Sequence, residues 1–359
     1  MVGAILGSCS GSHADGPDTD GGDAMLRLQV AMSTPGTVSR AAQSRADYSA
    51  PTGPNEMMQE LRIIIVRPDL TIEHNDHITK PFLNNPAITA GAFQYRVVSG
   101  ETKLVYLIVN ESATRTDNNG QTVKLINYDF SSLTPGSRLP ESQLSSLLIT
   151  LDSETETLNG VLPMSECHRV DVPFVDPVQP VPTFPKRLFV TRAAVKFTLN
   201  ITNSSSLNDF NIEEIRINKL SRKEYFMPRN TVYNDAGEIT AYQVPNIGNN
   251  EYYTFHRSYT DVTARAEGNT VTLPSFYLLE GKYADPNSPD GELNYSLTIR
   301  MNGCDYTKYF PNLPQLPRNT HVVVNVNIKN LDELDWQIDL RPYSSVELNP
   351  DFGLPYPEA

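Results

Sequence analysis

Apolar residues fall at every second position through much of this 359-residue chain, and that period of two constrains its fold most. Successive strand side chains point to opposite faces, so alternation marks a sheet with one face buried. Leu26, Leu28 and Val30 alternate around Arg27 and Gln29. Phe189, Thr191, Ala193, Val195, Phe197, Leu199 and Ile201 predict one long strand, with Arg192, Lys196 and Asn200 on the opposite face. Leu293, Tyr295, Leu297, Ile299 and Met301 predict another, closed by Asn302-Gly303. That dipeptide favours a type I′ turn, so Cys304 to Phe310 is expected to return as the partner strand. Val322, Val324, Val326 and Ile328 repeat the pattern, as do Leu334, Trp336, Ile338 and Leu340. Leu61 to Val66 and Lys103 to Asn110 are near-continuous apolar runs instead, the pattern of strands covered on both faces.

Helical signals are confined to Glu141–Leu148 and to a short stretch near Pro54–Glu60. With 27 prolines and 17 tyrosines, the chain reads as a turn-rich, all-β protein of antiparallel sandwiches. Pro173 to Pro185 reads PFVDPVQPVPTFP. Proline fixes φ and cannot donate to a ladder, so this run is expected to be a stiff linker. It divides a sandwich over residues 24–185 from a second over 186–359, which carries a C-terminal tail.

Leu6-Gly7-Ser8-Cys9, after Val2-Gly3-Ala4-Ile5, matches the lipobox of bacterial lipoproteins. Cleavage before the cysteine would leave Cys9 as an acylated N-terminus, held to the outer membrane by lipid at about 0.8 kcal/mol per buried CH₂. Only a remnant of a signal peptide precedes it, so the true start is expected upstream of Met1. Residues 1–23 are then signal remnant and tether, since Ser10 to Asp23 is rich in Gly, Ser and Asp and cannot bury a core. Asp15, Asp18, Asp20 and Asp23 lack the ligand spacing of a calcium loop, and no metal is expected there.

A net charge of −13 and a pI near 4.9 argue against nucleic acid as a partner, because phosphate binding needs clustered Lys and Arg. No apolar stretch reaches the length of a spanning helix. Adjacent Glu166, Cys167 and His168 cannot converge on one face of a strand, so they do not form a nucleophile and base. His74, Asp76 and His77 in EHNDH read as a solvated turn, and Glu213-Glu214 with Asp209 as an exposed strand edge or loop. No phosphate loop, G-x-S-x-G or H-E-x-x-H occurs. The expectation is a non-enzyme without cofactor. Cys167 and Cys304 are expected as separate buried thiols, with a disulfide between them left open.

The lipobox, LRIIIVRPDLTIEHN, YLIVNES, LPMSECHRV and RAAVKFTLNIT occur in order, followed by FYLLE at Phe276 to Glu280 and RNTHVVVNVNI at Arg318 to Ile328. Together they resemble the fimbrillin-type pilus subunits of Bacteroidetes, over residues 24–343. That superfamily includes stalk, tip and anchor subunits. The resemblance implies two tandem transthyretin-like β-sandwich domains and a lipoprotein precursor. It also implies assembly by donor-strand exchange after an arginine-specific protease cuts an early loop. Arg40 and Arg45, in the polar stretch TVSRAAQSRADYSAP, are the candidate cleavage points. The displaced first strand would carry Leu26, Leu28 and Val30, and a neighbouring subunit's strand would refill the groove. Leu334, Trp336, Ile338 and Leu340 form one candidate donor, and the tail from Ser345 to Ala359 is another. The implied partners are other fimbrial subunits, the protease and the outer membrane; the implied place is a fimbrium at the cell surface. Two alternatives stand beside a structural subunit: an anchor or accessory subunit, and a glycan-binding surface lipoprotein. The last would use exposed aromatic residues, for which Tyr252 and Tyr253 are the candidates, Trp336 being expected in the core.

Overall fold

The computed structural model describes residues 21–35, 54–79, 93–117, 120–206, 208–235, 237–244, 252–281, 295–309, 316–330 and 333–342. Cys9, Arg40, Arg45 and the tail from Ser345 to Ala359 lie outside them.

The first half builds a seven-stranded sheet in the order β4 (Ile72–Ile78), β3 (Leu61–Val66), β6 (Glu101–Val109), β10 (Met164–Val172), β11 (Thr183–Arg192), β1 (Asp23–Met32), β5 (Phe93–Val98). Every residue of β3 is buried, Arg62 included, as its near-continuous apolar run predicts. Ile63, Ile65, Val105, Leu107, Leu26, Leu28, Tyr95 and Val97 share one interior cluster, although they come from strands far apart in the sheet. The sheet therefore curls until its end strands meet. His74 Nε2 of β4 lies 2.7 Å from the Arg96 carbonyl of β5, and Glu73 accepts the Val98 N–H at 3.0 Å. The other face of β3 and β6 carries Ile64, Val66, Tyr106 and Ile108. These are covered by residues 113–162, which contain β7 (Thr114–Thr116), β8 (Thr122–Lys124), the short helix α1 (Glu141–Ser145) and β9 (Leu148–Thr150).

The second half is a sandwich. One sheet runs β19 (Asn269–Thr272), β12 (Val195–Asn203), β23 (Thr320–Asn330), β24 (Glu333–Pro342), with β20 (Phe276–Leu278) also on β12. The other runs β17 (Tyr252–Ser258), β13 (Phe210–Ser221), β21 (Ser296–Met301), β22 (Cys304–Tyr309), with β18 (Thr263–Ala264) on β13. Alternate residues of both sheets meet in one core, where Phe276 stacks on Phe197 and Phe255 at 5.5 and 5.0 Å. Asn302 and Gly303 take φ of 48° and 80°, the two positive angles of a type I′ turn, and β22 returns along β21 as expected.

The halves are joined by small pairings. β14 (Lys223–Tyr225) pairs with β9, and β15 (Val232–Tyr233) and β16 (Glu238–Ala241) extend through β16 to β2 (Thr34–Pro35).

The long alternating segment from Phe189 to Ile201 is two strands in two sheets, broken at Ala193-Ala194. Arg192 and Lys196 lie buried rather than on a solvated face, because the junction of the halves covers them. The first sheet runs on past residue 185 to Arg192, so the proline-rich run leads into a paired strand. Near Pro54, the helical signal yields only the 3₁₀ turn Pro54–Glu56. Cys304 is exposed and Cys167 half-buried; both are free thiols, so burial is wrong for Cys304.

Candidate assembly site

β1 is the first strand among the described residues and is paired on both sides. It runs parallel to β11 from Met25↔Thr183 to Met32↔Val190, and antiparallel to β5 from Asp23↔Val98 to Leu28↔Phe93. Its alternation places Ala24, Leu26 and Leu28 in the interior at 0 % exposure, with Met32 beside them. Val30 is only partly buried against that cluster, and Arg27 and Gln29 are half-buried on the other face. Removing β1 would thus open a slot with two unsatisfied backbone edges and a row of apolar pockets. Those are the features that recognise an extended strand.

Glycine fixes the entrance to this slot. The Gly22 N–H donates to the Val175 carbonyl at 2.7 Å, and a Cβ at Gly22 would lie 2.8 Å from Pro177 Cα. Residues 173–182 therefore fold back against the start of β1, and the Met25 N–H donates to the Pro182 carbonyl at 2.8 Å. The exit is polar. Ser33 Oγ lies 3.0 Å from Thr191 Oγ1, which lies 2.7 Å from the Tyr233 hydroxyl, and Tyr233 donates to Glu166. Burial pushes the Glu166 carboxyl up to about 7, against the lowering effect of the Tyr233 hydroxyl and the Cys167 N–H. Asn319 and Arg192 complete this exit from the second half of the chain.

Two further buried ionic groups brace the junction. Lys196 Nζ meets Glu56 Oε1 at 2.5 Å, with the Tyr277 hydroxyl at 2.7 Å from the same oxygen. Burial would raise the Glu56 carboxyl, but the Lys196 and Tyr277 hydrogen bonds outweigh it and hold it below the usual range. Arg318 is buried against Glu280, its Nε 2.7 Å from Oε1, with Glu224 near by. Alternation alone does not reveal these residues, since Arg192 and Lys196 look like exposed strand positions and Arg318 stands just before the alternating run of β23.

The candidate donor segment is β24, the last strand of its sheet among the described residues. It pairs with β23, with Leu334, Trp336, Ile338 and Leu340 at register positions opposite Ile328, Val326, Val324 and Val322.

The remaining sequence candidates stay apart. His74, Asp76 and His77 stand on β4 rather than in a turn, and His77 Nε2 is 3.1 Å from Glu60. His168 Nε2 is 2.6 Å from the Phe189 carbonyl, bridging β10 to β11 where their backbone pairing has ended. Glu213 and Glu214 lie on β13, between β17 and β21 and so not on an edge strand; Glu213 pairs with Arg300 at 3.2 Å. Among the described residues no group of three or more His, Cys, Asp or Glu could hold a metal ion, and no helix is long and apolar enough to cross a membrane. Tyr253 is buried and Tyr252 half-buried, so this pair is not an exposed sugar platform.

The fold has close counterparts among solved structures. A candidate cell adhesion protein from Bacteroides eggerthii superposes with a TM-score of 0.50 at 12 % identity, over 91 % of this chain and 98 % of its own. The tip fimbrial protein Mfa3 from Porphyromonas gingivalis, with a C-terminal truncation, gives a TM-score of 0.51 at 11 % identity, over 89 % of this chain and 99 % of its own. The chain shares its fold with a tip fimbrial protein and a cell adhesion protein of Bacteroidetes. No family model matches the sequence, and no curated protein matches it. The resemblance read from short motifs is thus present in three dimensions at identities where only the fold is shared.

Proposed function

We propose that this chain is a structural subunit of a surface fimbria, a protein of cell adhesion rather than an enzyme. Its two halves act as tandem transthyretin-like domains, which meet where the chain changes sheet at Ala193-Ala194. It is exported as a lipoprotein acylated at Cys9 and assembles by donor-strand exchange. One observation carries the reading: β1 fills an apolar slot between two hydrogen-bonded neighbours. It also precedes the stretch that holds Arg40 and Arg45. Cleavage there would free the strand from the remainder of the chain, and a neighbour's strand would restore both ladders. The shared fold of the tip fimbrial protein supports the same reading.

The test is treatment of the purified chain with an arginine-specific protease, followed by N-terminal sequencing and electrophoresis in mild denaturant. New N-termini after Arg40 or Arg45, with ladders of oligomers, are expected. A cleaved chain that stays monomeric would overturn the strand-exchange part.

A further inference from the structure

The exit of β1 is read by one side chain of the other half. Asn319 is fully buried and immediately precedes β23. Its φ of 60° is left-handed, which asparagine tolerates better than most residues. Its own N–H donates to the Ala194 carbonyl at 2.7 Å, fixing it between the last strand of the first sheet and the first of the next. Its side-chain amide is used at both ends. Oδ1 accepts from Arg192 Nη1 at 3.1 Å, while Nδ2 donates to the Ser33 carbonyl at 2.9 Å and lies 3.2 Å from Ser33 Oγ. Arg192 contacts β1 as well, with Nη2 3.0 Å from Met32 Sδ.

We infer that Asn319 senses whether the β1 slot is filled to its end and passes that state to the pairing of β23 with β24. The inference deepens the proposed function and rests on β1 being exchangeable. Nδ2 sits where water is excluded, and it donates to the carbonyl and hydroxyl oxygens of Ser33. A strand that leaves the slot, or stops short of the Ser33 position, orphans a buried donor. Orphaning costs enough to shift a local equilibrium by about ten-fold or more. Asn319 adjoins Thr320, the first residue paired in both the β12–β23 and the β23–β24 ladders, opposite Val195 and Pro342. Movement of Asn319 away from an empty slot therefore loosens the end of β24, the candidate donor. In the sealed chain the same contact holds β24 on β23. The device favours release of a donor only after the plug has gone, and favours an incoming strand long enough to supply the carbonyl at the Ser33 position.

Hydrogen exchange on the intact, uncut chain tests this with Asn319→Gly, which keeps the left-handed backbone and deletes the amide. Exchange is expected to rise about ten-fold at residues 29–33 and also at residues 338–341, with β13 and β17 unchanged. Faster exchange confined to 29–33, or no change at either place, overturns the inference. If the glycine variant does not fold, Asn319→Asp serves instead. It keeps the acceptor for Arg192 and sets an oxygen against the Ser33 carbonyl, with the same outcomes deciding. Because no cleavage is involved, the inference and the strand-exchange reading fail separately. Protease ladders without coupled exchange sink the sensor alone, and coupled exchange without ladders sinks the assembly reading alone.

Discussion

Leu28→Ala is the substitution that weighs the β1 slot. Leu28 has no exposure and packs within the interior cluster of the first sheet. The change removes three carbons at about 0.8 kcal/mol each, and the cavity left in the interior of the curled sheet adds to that. The sum is about 3 to 4 kcal/mol. For a half of this size each kcal/mol lowers the melting temperature by roughly 2–4 °C, so a drop of roughly 6–16 °C is expected. Far-UV circular dichroism follows both halves during heating. Fluorescence of the single tryptophan, Trp336, follows β24 in the second half. The circular dichroism midpoint should fall first and further. Gln29→Ala, next along the strand on the opposite face, should cost no more than about 0.5 kcal/mol. A Leu28→Ala chain within about 0.5 kcal/mol of the parent would refute the reasoning, since β1 would then fill no slot worth refilling.

Other expectations concern the ends of β1 and the junction. Gly22→Ala sets a Cβ 2.8 Å from the Pro177 backbone and should destabilise the first half by about 1–3 kcal/mol, measured by urea unfolding. Glu166 carries a folded pKa of about 7, above its usual 4.5. The stability of its protonated form is complete below pH 4.5 and is lost as pH rises through about 7, by roughly 3 kcal/mol. Glu166→Gln should remove that slope, so the parent-minus-variant stability should fall between pH 5 and pH 8. A flat difference would contradict it. Arg318→Leu leaves Glu280 buried without its guanidinium and should cost about 3–5 kcal/mol, part of which Glu280→Gln restores in the double variant.

Where side chains obey the period of two, the fold was legible. The all-β class, the β21–β22 hairpin at Asn302-Gly303 and the covered strand Leu61–Val66 follow from local chemistry alone. The junction was not legible, because alternation assigns faces and cannot say what covers them. Arg192 and Lys196 occupy the positions of a solvated face, yet Glu56 and Asn319, from distant parts of the chain, enclose them. Phe189 to Ile201 looks like one strand for the same reason: the pattern runs unbroken through Ala193-Ala194 while the backbone changes sheet there. Leu26, Leu28 and Val30 are legible as one alternating row, although Val30 is only partly buried, but the neighbours of β1 are not legible. Its parallel partner β11 lies more than 150 residues away in sequence. Ser33 and Asn319 carry no pattern at all; only the hydrogen bonds single them out.

Peptide capture tests the exchangeable first strand most directly. The chain is cut by an arginine-specific protease and mixed with a fluorescent peptide of residues 22–35, and separately with one of residues 333–342. Stoichiometric binding of either peptide to the cut chain, none to the uncut chain, and suppression of oligomer ladders by the bound peptide are the predicted results. A cut chain that takes up neither peptide would contradict the account.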